Sequence, residues 1–171
     1  MAKSCREVVG IDFSHAFIEA AETLRFGGAV GYDRLEEGRT TTRLEAKAPA
    51  EGDGIVFLQG DAMNLPEDLG EFDRVHAANL LCRLTEPVKL LERLPGLVKP
   101  GGELVLATPC TWLEDFTPLG YWPEGSTFDW LEEWLSPDFE LVRSGEEPFL
   151  IRETARKFQW TRSMVTVWKR L

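Results

Sequence analysis

Short apolar runs alternate along the chain with segments of helical periodicity, and this alternation predicts an α/β fold. Residues 8–12 form the first run, and Ser14 follows it as a candidate helix cap. The next apolar positions repeat with the i, i+3, i+4, i+7 spacing of a helix: Phe17, Ala20, Ala21 and Leu24. Gly27 and Gly28 end that periodicity, so the pattern predicts a strand that leads directly into a helix.

Three further apolar runs are typical of buried strands: residues 55–59, 72–79 and 103–108. A helix is predicted between the last two, with Thr85 as its cap and Pro87 in its first turn. Its expected inner face consists of Val88, Leu91 and Leu94. Residues 99–102, Lys-Pro-Gly-Gly, predict the tight turn back into the last of these strands.

Other segments are less regular. Residues 29–36 and 39–46, with Glu37-Gly38 between them, predict an inserted β-hairpin, with a loop as the alternative. Residues 109–126 are rich in proline and aromatic side chains, as lids and binding loops are. A short helix over 128–135, capped by Thr127, and an antiparallel edge hairpin over 138–145 and 158–169 complete the expected order.

Polar residues come directly after several of the predicted strands: Asp12, Asp61, Asn79 and the segment 108–110. In an open α/β sheet, ligands bind outside the carboxyl ends of the strands. We therefore expect Asp12, Asp61 and Asn79 to converge on one crevice, since we expect them to end neighbouring strands.

The residue types at these positions predict an adenosine compound as the ligand. Asp12 is expected to accept hydrogen bonds from ribose hydroxyls. Asp61, together with the backbone of Ala62 and Met63, is expected to meet an adenine edge, and Phe13 or Met63 to cover the face of the ring.

Each of these residues also has a purely structural explanation. Asp12 precedes a helix, whose positive end favours a carboxylate, and Asp61 beside Gly60 suits a turn. Asn79 would serve equally to satisfy neighbouring backbone groups. Cys82 and Cys110 are better explained as small buried hydrophobes than as nucleophiles, because no His or Asn stands at a catalytic spacing.

Composition narrows the class of protein. The chain has 171 residues, 43% of them apolar, which fits a single domain over 1–171. Its formal charge of −10 disfavours nucleic acid and anionic membranes as partners. Three unpaired cysteines and two histidines support neither a disulfide framework nor a metal site, and no apolar run approaches a membrane span. We therefore expect a cytoplasmic protein that acts on a small molecule.

Four segments together resemble class I S-adenosylmethionine-dependent methyltransferases: Val-Gly-Ile-Asp-Phe-Ser (9–14), Gly-Asp-Ala-Met-Asn-Leu-Pro (60–66), Phe-Asp-Arg-Val (72–75) and Leu-Val-Lys-Pro-Gly-Gly-Glu-Leu (97–104). Three others are similar, more narrowly, to the C-terminal methyltransferase domain of ovothiol synthases: residues 77–84, 108–118 and 148–160. The resemblance covers essentially the whole chain from Val8.

This resemblance implies a Rossmann-like class I methyltransferase sheet with helices on both faces and S-adenosylmethionine as the cofactor. It also implies methyl transfer to an imidazole nitrogen of mercaptohistidine, the final step to ovothiol A. Asn79 and the loop over 108–116, with Thr108 and Trp112, are expected to aim the acceptor. Arg152 is a candidate for the substrate carboxylate, as are Arg156 and Lys157, with a surface ion pair as the alternative for each.

The sequence also departs from that family. Its members begin with a strand and a Gly-x-Gly-x-Gly-like loop that hold the methionine part of the cofactor, and nothing of the kind precedes Val8. The iron-dependent sulfoxide synthase region of full-length relatives, an expected upstream partner domain, is absent from this sequence too. We therefore expect an incomplete domain with little or no activity, whose missing strand belongs between those ending at Asp12 and Asn79.

Two other functions stay open. One is methyl transfer to another small acceptor, because a fold does not fix its substrate. The other is a non-catalytic module that serves as a partner surface.

Overall fold

The computed structural model describes residues 4–49 and 52–171, which fall into two compact units. The first unit comprises the described residues up to Ala62 together with residues 151–159, and the second comprises residues 63–150 and 160–171. The regular elements follow in chain order: β1 (Val8–Asp12), α1 (His15–Arg25), β2 (Ala29–Glu37), β3 (Thr40–Lys47), β4 (Ile55–Gln59), β5 (Phe72–Ala78), α2 (Pro87–Arg93), β6 (Val98–Thr108), α3 (Thr127–Leu135), β7 (Phe139–Arg152) and β8 (Phe158–Arg170).

In the first unit, β1 and β4 form a parallel two-stranded sheet, in register from Val8 opposite Ile55 to Asp12 opposite Gln59. The predicted strand and helix are both confirmed: Ser14 caps α1, its Oγ accepting the N–H of Phe17 at 3.3 Å. Gly10 faces the Phe57 ring so closely that a Cβ there would lie 2.7 Å from it. The glycine in the first apolar run therefore makes room for an aromatic ring on the neighbouring strand.

The predicted inserted hairpin is confirmed as well. β2 and β3 pair antiparallel from Ala29 opposite Lys47 onward, and Gly38 adopts a positive φ of 57° in the turn. Glycine adopts that conformation without steric cost, which explains the turn signal in the sequence. The loop alternative for this segment is wrong.

The second unit contains a four-stranded sheet in the order β5-β6-β8-β7. β5 and β6 run parallel, and β8 runs antiparallel to β6. β7 and β8 are neighbours joined by a turn in which the N–H of Glu153 donates to the carbonyl of Lys157, so the predicted C-terminal hairpin is confirmed. β7 extends further toward that turn than the sequence pattern indicates, whereas β8 begins at Phe158 as predicted.

β1 and β4 pair only with each other among the described strands. β1 in one sheet and β5 in the other therefore each keep an edge without a strand partner in the described part of the chain.

The apolar core lies in the second unit. Large side chains that are fully buried come from both the sheet and α3: Leu104, Leu106, Leu131, Leu135, Phe139 and Trp168. Within the described residues, no helix is both long and apolar enough to cross a membrane.

Two predicted helix caps are displaced by one residue. Glu86, and not Thr85, occupies the N-cap position of α2, and the Thr85 hydroxyl donates instead to the Met63 sulfur. Ser126, and not Thr127, caps α3, its Oγ accepting the N–H of Asp129 at 3.0 Å. On α2, Leu90 is buried and Val88 only half-buried, so the inner face differs in part from the predicted one.

Removing a large side chain from the core sheet should destabilise the protein far more than removing one from the hairpin. We expect Leu104→Ala, at a fully buried position in β6, to lower the free energy of unfolding by about 2 to 5 kcal/mol. Leu150→Ala is the matched control, since that side chain is 60% exposed in β7. Chemical denaturation measures both, and equal losses would contradict the assigned core.

Candidate functional site

Asp12 and Asp61 lie at the same end of the first sheet. Asp12 is the last residue of β1 and is paired with Gln59, the last residue of β4, and Asp61 comes two residues later. The N–H of Gly60 donates to the Asp12 carbonyl at 3.0 Å, which extends the pairing toward Asp61. Because the strands are parallel, both acidic residues stand at their carboxyl ends, where ligands bind in α/β sheets.

One oxygen of the Asp12 carboxylate accepts a hydrogen bond in the turn into α1, and the other does not. Its Oδ1 accepts the N–H of Ser14 at 2.8 Å, and the side chain is exposed. Its Oδ2 has no hydrogen-bond partner among the described residues. One oxygen therefore serves the helix start, as the structural explanation requires, while the other remains able to accept a hydroxyl donor.

Phe13 presents its ring next to this carboxylate. The side chain is 74% exposed, while its backbone carbonyl accepts the Gln59 side-chain amide at 3.2 Å. Asp61 and Ala62 are half-buried. The first unit thus groups a free carboxylate oxygen, a second acidic residue and an exposed aromatic ring at one sheet end, which suits the ribose and base of an adenosine ligand.

Met63 belongs to the second unit, where its sulfur accepts two hydrogen bonds. The donors are the Thr85 hydroxyl and the Glu86 N–H, each at 3.3 Å. Met63 therefore binds the residues that start α2. The predicted contact of Met63 with adenine is not tested by these hydrogen bonds and stays a prediction.

Asn79 follows β5 and has a positive φ of 54°, a conformation that Asn tolerates better than most residues. Its N–H donates to the Ala107 carbonyl at 2.7 Å, and its side-chain Oδ1 accepts the Ser163 hydroxyl at 2.7 Å. Ser163 lies on β8 and carries no sequence signal, because its partner is 84 positions away.

β5 pairs with β6, and neither β1 nor β4 pairs with β5 among the described strands. Strand pairing does not test whether Asp12, Asp61 and Asn79 end neighbouring strands. The convergence of Asn79 with Asp12 and Asp61 stays a prediction.

Thr108 ends β6 and is 1% exposed. Its Oγ1 accepts the N–H of Cys110 at 3.2 Å, and Cys110 has a positive φ of 53°. The Thr108 side chain thus closes the turn by which the chain leaves β6. Its predicted contact with substrate would have to form in addition to this role.

The aromatic loop after β6 is held in place by hydrogen bonds. The Trp112 indole N–H donates to Thr127 Oγ1 at 2.9 Å, and its ring meets Trp130 edge to face at 5.8 Å between centroids. The buried Thr117 hydroxyl donates to the Leu84 carbonyl at 2.6 Å. Trp112 therefore ties the loop to α3, and its predicted role at the substrate is not tested by these contacts.

Tyr121 reaches the start of α2 from the same loop. Its hydroxyl lies 3.4 Å from Glu86 Oε2, and Lys89 donates to the other oxygen of that carboxylate at 2.7 Å. The hydrogen bond from Lys89 is the main cause that lowers the pKa of Glu86, with a smaller contribution from Tyr121. The charged form of Glu86 is thereby favoured at neutral pH.

Arg152 lies in the first unit, at the hairpin turn. Its guanidinium donates to the carbonyls of Thr154 and Ala155 and stacks 5.5 Å from the Phe158 ring centroid. These contacts fix the turn, and the predicted carboxylate contact stays a prediction. No group of three or more metal-ligating side chains occurs among residues 4–49 and 52–171.

Comparison with known proteins identifies a related family. A family model described as a methyltransferase domain matches residues 1–106, more than half of the chain. No curated protein matches the chain significantly.

Solved structures with a similar fold point the same way. An S-adenosylmethionine-dependent methyltransferase from Methanosarcina mazei has a TM-score of 0.61 and 16% identity, over 96% of this chain and 82% of its own. The N-methyltransferase NodS from Bradyrhizobium japonicum has a TM-score of 0.59 and 13% identity, over 99% of this chain and 76% of its own. A protein described in the conversion of a disulfide bond into a thioacetal group during echinomycin biosynthesis has a TM-score of 0.63 and 17% identity, over 99% and 68%. At such identities the likeness concerns the fold alone.

Cys82 and Cys110 have the environments of unreactive side chains. Cys82 is fully buried, and burial raises the pKa of the Cys110 thiol above its ordinary value of 9.0, against the opposing hydrogen bonds of Thr127 and Thr108. A raised pKa keeps the thiol protonated at neutral pH, and the thiolate is the nucleophilic form. This supports the interpretation of both residues as packing groups.

We expect iodoacetamide at pH 7.5 to alkylate the exposed Cys5 well before Cys110, and Cys82 only on unfolding. Labelling of Cys110 should rise only above pH 9, since its thiolate forms late. Peptide mass spectrometry over a pH series measures all three sites. Alkylation of Cys110 at neutral pH as fast as that of Cys5 would show an activated thiol instead.

Proposed function

The chain belongs to the methyltransferase domain family, and from that premise we propose that it transfers the methyl group of S-adenosylmethionine to an imidazole nitrogen of mercaptohistidine, the final step to ovothiol A. Methyltransferase membership and an α/β fold of the class I type are the firm part of this statement. The identity of the acceptor is the proposed part.

Two observations support S-adenosylmethionine as the cofactor. They are the family membership and the similarity to a methyltransferase from Methanosarcina mazei that depends on it. The cofactor supplies a methyl group activated by attachment to a sulfonium. The residues of the first unit fit its adenosine portion: Asp12 keeps an unpaired carboxylate oxygen for ribose, and Asp61 stands at the same sheet end. The Phe13 ring is exposed and available to the base.

One observation carries the proposal, namely the free Oδ2 of Asp12 at the carboxyl end of β1. The other oxygen, Oδ1, serves the helix start through the Ser14 N–H, so the two roles of Asp12 are compatible. The second oxygen, at the sheet end where ligands bind, is what a ribose hydroxyl requires.

The choice of acceptor has two supports. Residues 77–84, 108–118 and 148–160 resemble the methyltransferase domain of ovothiol synthases. One structural neighbour, NodS, is described as an N-methyltransferase, so a nitrogen acceptor is compatible with this fold.

The chemistry asks little of the protein beyond positioning. A ring nitrogen with a free lone pair needs only to be held in line with the methyl group, and such alignment supplies a large part of the rate. Asn79, at the end of β5, is the side chain that we assign to holding the acceptor. Cys110 is excluded as a base at neutral pH by its raised pKa.

The direct test incubates the purified chain with S-adenosylmethionine and mercaptohistidine, and mass spectrometry follows the methylated product. Any methylation is expected on the ring nitrogen, and at a lower rate with histidine, which lacks the thiol. Faster methylation of an unrelated amine would leave the family activity intact and refute the acceptor.

The Asp12 assignment can be tested apart from turnover. Asp12→Asn keeps an oxygen for the Ser14 N–H but removes the second acceptor, so we expect affinity for S-adenosylhomocysteine to fall by about 1 to 3 kcal/mol with stability unchanged. Titration calorimetry and thermal unfolding measure the two effects.

Asp33→Asn is the matched control for that variant, because it removes the same charge from an exposed position in β2. It should leave the affinity unchanged. Unaltered binding in Asp12→Asn and Asp12→Ala would leave Asp12 with its structural role alone.

A further inference from the structure

The hydrogen bond between Asn79 and Ser163 joins two strands that are not neighbours. β6 lies between β5 and β8, and neighbouring strands are about 4.8 Å apart, so β5 and β8 are separated by about 10 Å. A contact of 2.7 Å between their side chains therefore requires that β6 no longer stands between them.

The end of β6 provides that opening. The β6–β8 pairing stops at Thr108 opposite Met164, the residue after Ser163, and the next residue, Pro109, has no N–H to continue it. Thr108 then binds the N–H of Cys110, whose positive φ turns the chain away. Ser163 is 3% exposed, so its hydroxyl is enclosed at this point and directed to Asn79.

This bond determines which end of the Asn79 amide is available. An amide side chain has two broad orientations that differ by a half turn and exchange its oxygen and nitrogen. With Oδ1 held by Ser163, the nitrogen and its two N–H donors are turned away from that hydroxyl. Asn79 is exposed, and its nitrogen has no partner among the described residues.

We infer that Ser163 positions Asn79 as a hydrogen-bond donor. Asn79 thereby donates a hydrogen bond to a carboxylate or a thiolate of the substrate that receives the methyl group. The inference rests on the proposed function for the identity of the reaction. It assigns Ser163 as a positioning residue, because it acts through Asn79.

The chemistry of the reaction excludes a hydrogen bond from Asn79 to the ring nitrogen that attacks the methyl group. A ring nitrogen that attacks the methyl group must keep its lone pair free, and a donor bonded to that lone pair would block it. The Asn79 donors must therefore meet a different atom of the substrate. An anionic oxygen or sulfur is the stronger partner, since hydrogen bonds to charged groups are shorter and tighter.

The positioning role has a readout that needs no activity. In a ¹⁵N-labelled sample of the 171-residue chain, the Asn79 side-chain NH₂ signal is identified by its loss in Asn79→Ala. Ser163→Ala should shift that signal, and Ser163→Thr, which keeps the hydroxyl, should return it toward its original position. Ser144→Ala, the same change at an exposed position in β7, should leave it in place.

The substrate group is tested by adding three probes to the same sample. Mercaptohistidine carries both acceptor groups, histidine only the carboxylate, and 4-mercaptoimidazole only the thiolate. Mercaptohistidine and one of the other two should shift the Asn79 signal. Ser163→Ala should weaken mercaptohistidine binding about tenfold, the usual scale for a hydrogen bond to a charged group, with S-adenosylhomocysteine affinity unchanged.

In turnover, the same variant should raise KM for the acceptor and leave kcat within about twofold, as expected when a binding contact is lost. Because Asn79 is exposed, its side-chain oxygen can accept a hydrogen bond from water once the Ser163 hydroxyl is removed. The melting temperature should therefore fall by less than about 3 °C.

Either of two results overturns the inference: an Asn79 signal that is unchanged in Ser163→Ala, or one that responds to none of the three probes. Failure of the wild-type chain to bind S-adenosylhomocysteine would refute the proposed function instead. The Asn79 signal would still decide the role of Ser163.

Discussion

Parallel strand pairing is the constraint that the candidate site depends on. β1 with β4, and β5 with β6, run side by side in the same direction, so the residues that follow each pair emerge at one end of their sheet. Asp12 and Asp61 are brought together in this way although 49 positions separate them in the numbering of the chain. Without that pairing, each acidic residue would be an isolated turn or cap residue.

Strand and helix positions could be predicted because each apolar run is compact and bounded by glycine or polar residues. Residues 8–12 and 55–59 were recognisable for this reason, and both strands have the predicted bounds. The exact helix starts could not be predicted, since Thr85 and Glu86, and Ser126 and Thr127, are adjacent polar residues at the start of the same helix. The sequence offers adjacent polar residues there, and tertiary contacts select one.

The site was predictable only as far as it follows strand ends. Asp12 and Asn79 were identified from their positions after apolar runs, whereas Ser163 was not, because its role depends on where β6 stops. Thr108 shows the converse limit: its place at a strand end suggested a ligand contact, and the structure gives its hydroxyl to the Cys110 backbone. Which way a side chain turns at a strand end is decided by neighbours remote in sequence.

Burial differs between the two units in a way that bears on binding. Among the described residues, every large apolar side chain that is fully buried belongs to the second unit, and Phe13 and Phe17 of the first are largely exposed. Regions with few buried apolar contacts open locally at low free-energy cost. A ligand that binds Asp12 and Asp61 only in their ordered arrangement would stabilise that arrangement by mass action.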